Sequence, residues 1–265
     1  MNSNNNNSIG INSFVKRQIQ GSGKTYSILS FEDIKNHAET QLKSNIYKTG
    51  YRDGVILIPV HNDLLKYFIC PIVKIDKNGN QLWQKAHGKE SENNHEWAND
   101  LIEVENGDFL VVGARDYYDA YKRNILLLKV DKSGELIWEK EFNAFGAVDE
   151  VGYTISSSPL GGYFICASVN SIEEPHRFNP QIIKIDSFGN LDWTRTYNAS
   201  GMYYHRFGAS GLEDGGLIIT GSTNYFANPG DLEDALLIRI DYNGNVLWSN
   251  SYGSGDHDDW GWDVI

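Results

Sequence analysis

The sequence predicts an all-β chain dominated by a β-propeller, on two observations. One phrase returns four times: Ile72 to Trp83 reads IVKIDKNGNQLW, and it is followed by LLKVDKSGELIW ending at Trp138, IIKIDSFGNLDW at Trp193 and LIRIDYNGNVLW at Trp248. Asp76, Asp131, Asp186 and Asp241 stand 55 residues apart, and so do the four tryptophans. Between them run short apolar stretches divided by Gly, Asn and Asp. Four strands per unit of this length is the pattern of propeller blades.

Each unit can be justified strand by strand. From residue 97 to 143 the chain runs WANDLIEV, the turn ENGD, FLVVGA, a polar loop RDYYDAYKRN, ILLLKV, the turn DKSG and ELIWEKEF. The apolar runs are rich in β-branched and aromatic residues and bounded by turn formers, so four antiparallel strands, A to D, are expected. The order returns as VGYTISS, GGYFICAS, QIIKID, LDWTRTY, and again as FGASGL, GGLIITGS, ALLIRID, VLWSNSY. The repeated phrase is therefore strand C, a tight turn and strand D. Its Asp is placed to cap the turn backbone, and its Gly to take a positive φ that a Cβ opposes. Each repeated Trp is expected to cover the gap between adjacent blades. Burying about 200 Å² at roughly 25 cal/mol per Å² gives up to about 5 kcal/mol per Trp.

With their I-x-K-x-D-x-x-G-N-x-x-W core, these units resemble the bacterial β-propeller repeats found in many uncharacterised and secreted proteins. The resemblance covers about residues 54 to 265. It implies the fold and says little of function, because such propellers serve as binding modules, scaffolds and occasional enzymes.

The ends suggest how the ring closes. The first unit shows strands B, C and D (DGVILIPV, FICPIVKID, NQLWQKAHG), and the sequence stops at GDHDDWGWDVI, an A strand with nothing after it. Four blades, with the C-terminal strand completing the first, satisfy both facts. Two other readings stay open: KSNIYKTG, Lys43 to Gly50, fills the first A position, or the sequence is part of a longer propeller. Residues 1–50 are expected to form a small α/β extension: a polar disordered start, a hairpin (SFVKRQIQ, KTYSILSF) and a short helix with Ile34, Ala38 and Leu42 at helical spacing. Residues 51–265 then make the propeller. The passage through GYRDGVILIPV resembles the start of an uncharacterised bacterial domain family, which implies no activity.

A formal charge of −12 and a pI near 5.0 give a field that repels phosphate backbones, so nucleic acid is excluded as the expected partner. No apolar run is long enough for a transmembrane helix and the start lacks a signal peptide's apolar core, so no membrane span and a cytoplasmic location are expected. Cys70 and Cys166 sit in apolar strands and read as buried free thiols. QGSGKT, Gln20 to Thr25, lacks the first Gly of a phosphate-binding loop and reads as a hairpin turn. D-x-N-G-N at Asp76 and Asp241 lacks the chelating Glu of a calcium loop, leaving plain turns. No nucleophile elbow or zinc-protease motif is present.

The candidate site comes from superposing the A strands. Ala98, Gly152, Gly208 and Gly261 align, as small residues should where strands converge on an axis. Side chains alternate along a strand, so Glu96, Glu150, Arg206 and Asp259 and then Asp100, Thr154, Ser210 and Asp263 share that face. They describe a polar channel with an acidic mouth and one arginine, beside His95, Asp149, His205 and Asp258. The B-to-C loops emerge at the same end and carry Tyr117, Tyr118, Tyr121, His176, Arg177, Phe178, Tyr225 and Phe226. Aromatic rings beside carboxylates suit sugars, peptides or amphipathic metabolites. The first functional reading is a non-catalytic module binding a small polar ligand, a glycan or a protein partner there, with no cofactor beyond a possible cation in the channel. The second is a lyase, isomerase or cyclase using Glu96, Glu150, His205 or Asp259, since crowded carboxylates raise one another's pKa. A purely structural repeat is the third.

Overall fold

The computed structural model describes residues 56–59, 70–76, 80–88, 94–117, 122–143, 147–171, 177–197, 201–202, 207–223, 233–253, 257–262 and 264. These residues are all-β, in up-and-down antiparallel meanders. The first contains β1 (Ile56–Pro59), β2 (Cys70–Ile75) and β3 (Gln81–His87). The second contains β4 (Asn94–Glu103), β5 (Phe109–Tyr117), β6 (Lys122–Val130) and β7 (Leu136–Phe142), and the third β8 (Ala147–Ser157), β9 (Tyr163–Ser171), β10 (Arg177–Ile185) and β11 (Leu191–Thr196). The short β12 (Gly201–Met202) pairs with β10. The last meander is β13 (Gly208–Gly211), β14 (Leu217–Thr223), β15 (Asp234–Ile240) and β16 (Val246–Tyr252). A single parallel bridge, Arg123 to Asp149, links the second and third sheets. The expected extension at 1–50 lies outside the described residues, and no described helix is long and apolar enough to cross a membrane.

Alternation explains why strands B and C are unbroken apolar runs. In β5, Phe109 and Val111 join a cluster with Ile72 of the first sheet, while Leu110 and Val112 join Ile155, Ile165 and Ile183 of the third. In β9, Ile165 and Ala167 face back to the second sheet, and Phe164 and Cys166 face forward to Phe207, Ile219 and Ile238. Both faces of the inner strands are thus covered by neighbouring sheets, and period two is hidden. Cys166 is a buried free thiol, whose pKa burial pushes up against the opposing hydrogen bond from Thr154.

The repeated phrase folds as its residues require. Asp131, Asp186 and Asp241 each accept a hydrogen bond from the backbone N–H four residues on, at 2.7–2.9 Å, and Asp76 does the same with Asn80 at 2.8 Å. Gly134, Gly189 and Gly244 have φ of 84°, 76° and 79°. A register shift recurs just before each turn, at Lys74/Ile75, Lys129/Val130, Lys184/Ile185 and Arg239/Ile240.

The tryptophans join one repeat to the next. A Cβ added at Gly134 falls 2.8 Å from Trp83, one at Gly189 falls 2.6 Å from Trp138, and one at Gly244 falls 2.9 Å from Trp193. Each indole therefore lies on the turn glycine of the following repeat, whose missing side chain makes the room. Two residues on, a cation reaches that turn's last residue: Lys85 pairs with Glu135, Lys140 donates to Asn190 at 2.9 Å and Arg195 to Asn245 at 3.3 Å. Four residues on, a ring meets the glycine carbonyl, His87 Nε2 lying 2.9 Å from Gly134 O and the Tyr197 hydroxyl donating to Gly244 O at 2.9 Å.

The caps carry a pH prediction. Hydrogen bonds lower the carboxyl pKa of Asp131 (foremost from Ser133), Asp186 (from the Asn190 backbone) and Asp241 (from Asn245) below the ordinary value. Their stabilisation is complete above the unfolded Asp pKa of about 3.9 and is lost as pH falls through the lower folded value. In urea titrations across acid pH, Asp186→Asn is expected to be weaker than the parent near neutrality and to converge on it as the pH drops.

Candidate functional site

The strands at the B-to-C end run further than the apolar pattern suggests. Strand β5 continues through Arg115, Asp116 and Tyr117, and β6 begins at Lys122, so six of the ten residues expected in a loop are strand. In the third sheet β9 reaches Ser171 and β10 starts at Arg177. In the second sheet Arg115, Asp116 and Tyr117 stay in the ladder because partners across the sheet satisfy them.

Arg115 shows how. Its side chain is fully buried, as is that of Glu96 opposite it on β4, and Nε lies 2.5 Å from Glu96 Oε1. Nη1 also meets Glu141, and Nη2 meets Glu139 Oε1 at 3.3 Å. Glu141 Oε2 in turn accepts from the Tyr117 hydroxyl at 2.6 Å and from Asn124 Nδ2 at 3.1 Å. One guanidinium thus ties strands A, B, C and D together across one sheet end, with a formal charge of −2 from one Arg and three Glu. Burial opposes the charge on Arg115, but the hydrogen bond and charge of Glu96, and then Glu139, keep its pKa above the usual guanidinium value.

Next to this cluster, Arg123 lies 3.5 Å from Asp116 and 3.4 Å from Asp149. Burial raises the Asp149 carboxyl pKa, with Arg123 opposing and Asp116 adding to the rise. Glu150 is buried beside it on β8.

The sequence-derived site residues do not all come together. Glu96 and Tyr117 come together around Arg115. Asp100, Thr154 and Ser210 lie along the A strands: Asp100 accepts from Leu101 N at 2.8 Å and from Ile155 N at 2.9 Å, tying β4 to β8, while Thr154 pairs with Cys166 and Ser210 with Ile218. Asp259 donates its N–H to Glu233 O at 2.7 Å. Tyr118, His176, His205, Arg206, Tyr225 and Asp263 lie outside the described residues.

The small A-strand residues have a local reason. A Cβ at Gly152 falls 2.6 Å from Val112 of the preceding sheet, and one at Gly261 falls 2.0 Å from Thr220 Oγ1. Ala98 pairs with Gly113 and Gly208 with Thr220. At Gly152 the constraint is the approach of β8 to the previous sheet, and at Gly261 it is the approach of the C-terminal segment to β14.

Sequence reasoning missed Arg115, Glu139, Glu141 and Arg123. A signal was present. Repeat three has Val169 where repeat two has Arg115, and Thr194 and Thr196 where repeat two has Glu139 and Glu141. Two carboxylates enter strand D in the repeat that gains an arginine in strand B.

Among the described residues no group of three or more His, Cys, Asp or Glu is placed to hold a metal ion. A separate open cleft lies at the third joint, lined by Arg195, Thr196, Tyr197, Gly244, Asn245 and Val246.

No protein-family model and no curated protein matches the chain. Among solved structures, it is similar to a protein of unknown function from Bacteroides caccae, at 15% identity and a TM-score of 0.33, covering 80% of this chain and 84% of that one. It is also similar to a Synechocystis apocarotenoid oxygenase, at 12% identity and a TM-score of 0.41, covering 78% of this chain and 48% of the oxygenase. At these scores neither likeness assigns a fold or an activity.

Proposed function

We propose that the chain is a non-catalytic β-propeller of the bacterial repeat type, with four radially arranged blades, which binds a small polar ligand, a glycan or a protein partner at its B-to-C end. A C-terminal A strand completes the blade begun by β1–β3. The placement of residues 257–262 supports this: Gly261 N donates to Gly221 O at 2.9 Å, and Asp258 and Trp260 hydrogen-bond to Glu233. The segment therefore lies on the last sheet at the positions by which β8 lies on the second.

One observation carries the binding reading. Glu96, one of the acids considered for proton transfer at the mouth, is buried with Arg115 and serves to hold the sheet together. Toward solvent stand the partly exposed Glu139 and Glu141, the latter accepting a hydrogen bond from the Tyr117 hydroxyl. Such carboxylates accept hydrogen bonds from hydroxyl or amine groups, and the rings offer an apolar face. A thermal-shift screen of oligosaccharides, peptides and polar metabolites tests it. A stabilising ligand is expected to act on the parent and to lose most of its effect in Tyr118→Ala and Tyr225→Ala, without being chemically altered. Turnover of that ligand, or unchanged stabilisation in both variants, contradicts the reading.

A further inference from the structure

The three repeat-to-repeat joints share a plan and differ in what answers the cation two residues after the tryptophan. At the first joint the turn ends in Glu135, whose carboxylate pairs with Lys85. At the second, Lys140 donates to Phe188 O and to Asn190 Oδ1, each at 2.9 Å. At the third, the turn ends in an amide, and Arg195 Nη1 lies 3.3 Å from Asn245 Oδ1, beyond the usual range for such a bond. A guanidinium carries five N–H donors in a planar fork, and among the described residues this is the one hydrogen bond that Arg195 makes.

The open cleft lies at this same joint. Its volume is about 470 Å³, within the range of small-ligand sites. Its lining is held in place: the Arg195 guanidinium sits 5.9 Å from the centre of the Trp193 ring, Asn245 donates its backbone N–H and its Nδ2 to Asp241 at 2.8 and 2.9 Å, and the buried Tyr197 hydroxyl donates to Gly244 O at 2.9 Å. Thr196 adds a hydroxyl and Val246 an exposed apolar side chain. The cleft therefore combines an exposed cation, a hydroxyl and an apolar wall, and it has an amide where the first joint has a carboxylate.

We propose that the third joint binds the carboxylate of a small organic acid, with Arg195 as its anchor. The bound carboxylate takes the part that Glu135 plays at the first joint, the planar fork donating to both of its oxygens while the apolar remainder of the ligand lies against Val246. The formal charge of −12 selects a single negative charge over a polyanion. Asp241 does not bar the site, because the first joint holds Glu135 directly beside Asp131, whose carboxylate accepts from Glu135 N at 2.9 Å. The cleft is at the C–D turns, the opposite end of strand C from the B-to-C loops, so this inference stands apart from the binding reading above.

Benzoate is the probe and benzamide its uncharged counterpart, each titrated against the full chain with saturation-transfer NMR as the readout. Benzoate is expected to bind saturably, and benzamide about tenfold more weakly or worse, the scale of a charge-assisted pair. Arg195→Gln is expected to weaken benzoate by about tenfold or more. Asn245→Glu gives the third turn the residue that the second repeat already carries at 135, so the turn is retained, the new carboxylate pairs with Arg195, and benzoate binding is expected to be lost. Absence of a saturable benzoate signal, equal binding of benzamide, or benzoate binding that survives either substitution overturns the proposal.

Discussion

Arg115→Ala lowers the stability of the protein by about 3–5 kcal/mol, the scale for leaving one member of a buried ion pair without its partner. The arginine has no exposed side-chain surface, and the Glu96 carboxylate that it holds has none either. Truncation leaves Glu96 charged in a dry environment and removes the contacts that hold Glu139 and Glu141 in place. Glu139 and Glu141 are partly exposed and turn to water at little cost, so the penalty belongs mainly to Glu96. Arg115→Lys retains the charge but not the planar fork that reaches three carboxylates, and an intermediate loss is expected. Glu96→Leu combined with Arg115→Met removes the buried charges together and is expected to recover about 2 kcal/mol or more of the loss. Urea unfolding with unchanged slope is the measurement. A single arginine variant as stable as the parent would show that the cluster is solvated rather than buried.

Gly189→Ala costs about 2–4 kcal/mol, from two sources that a second substitution separates. At φ +76° the backbone is left-handed, which an alanine resists, and its Cβ falls 2.6 Å from Trp138 Cη2. In a Trp138→Ala background the overlap is gone and only the conformational part, about 1 kcal/mol, remains. The coupling between the two sites is therefore about 1–3 kcal/mol. Additive effects would mean that the indole does not rest on the turn.

This joint shows what was legible in the sequence. The Asp, Gly and Trp of the repeated phrase each answer to a local demand, for a cap, a left-handed turn and a cover, so their spacing declared both the meanders and the joints. The A-strand glycines were recognised as positions needing small residues, but the crowding at Gly152 comes from Val112 of the neighbouring sheet, a contact no one-dimensional pattern specifies. Arg115, Asp116 and Tyr117 read as loop because charged residues are poor strand formers when taken alone. They remain in β5 because Glu96, Glu139, Glu141 and Arg123 meet them from three other strands, and such compensation becomes visible only when the repeats are compared position by position.

Trp83, Trp138 and Trp193 each join their own repeat to the next, whereas Trp248, 41% exposed, lies on no following turn among the described residues. Trp→Ala substitutions at positions 83, 138, 193 and 248, followed by urea unfolding at concentrations where the protein is monomeric, test this directly. Losses of about 2–4 kcal/mol are predicted at Trp83, Trp138 and Trp193, and under about 1 kcal/mol at Trp248. A loss at Trp248 equal to the other three would contradict it.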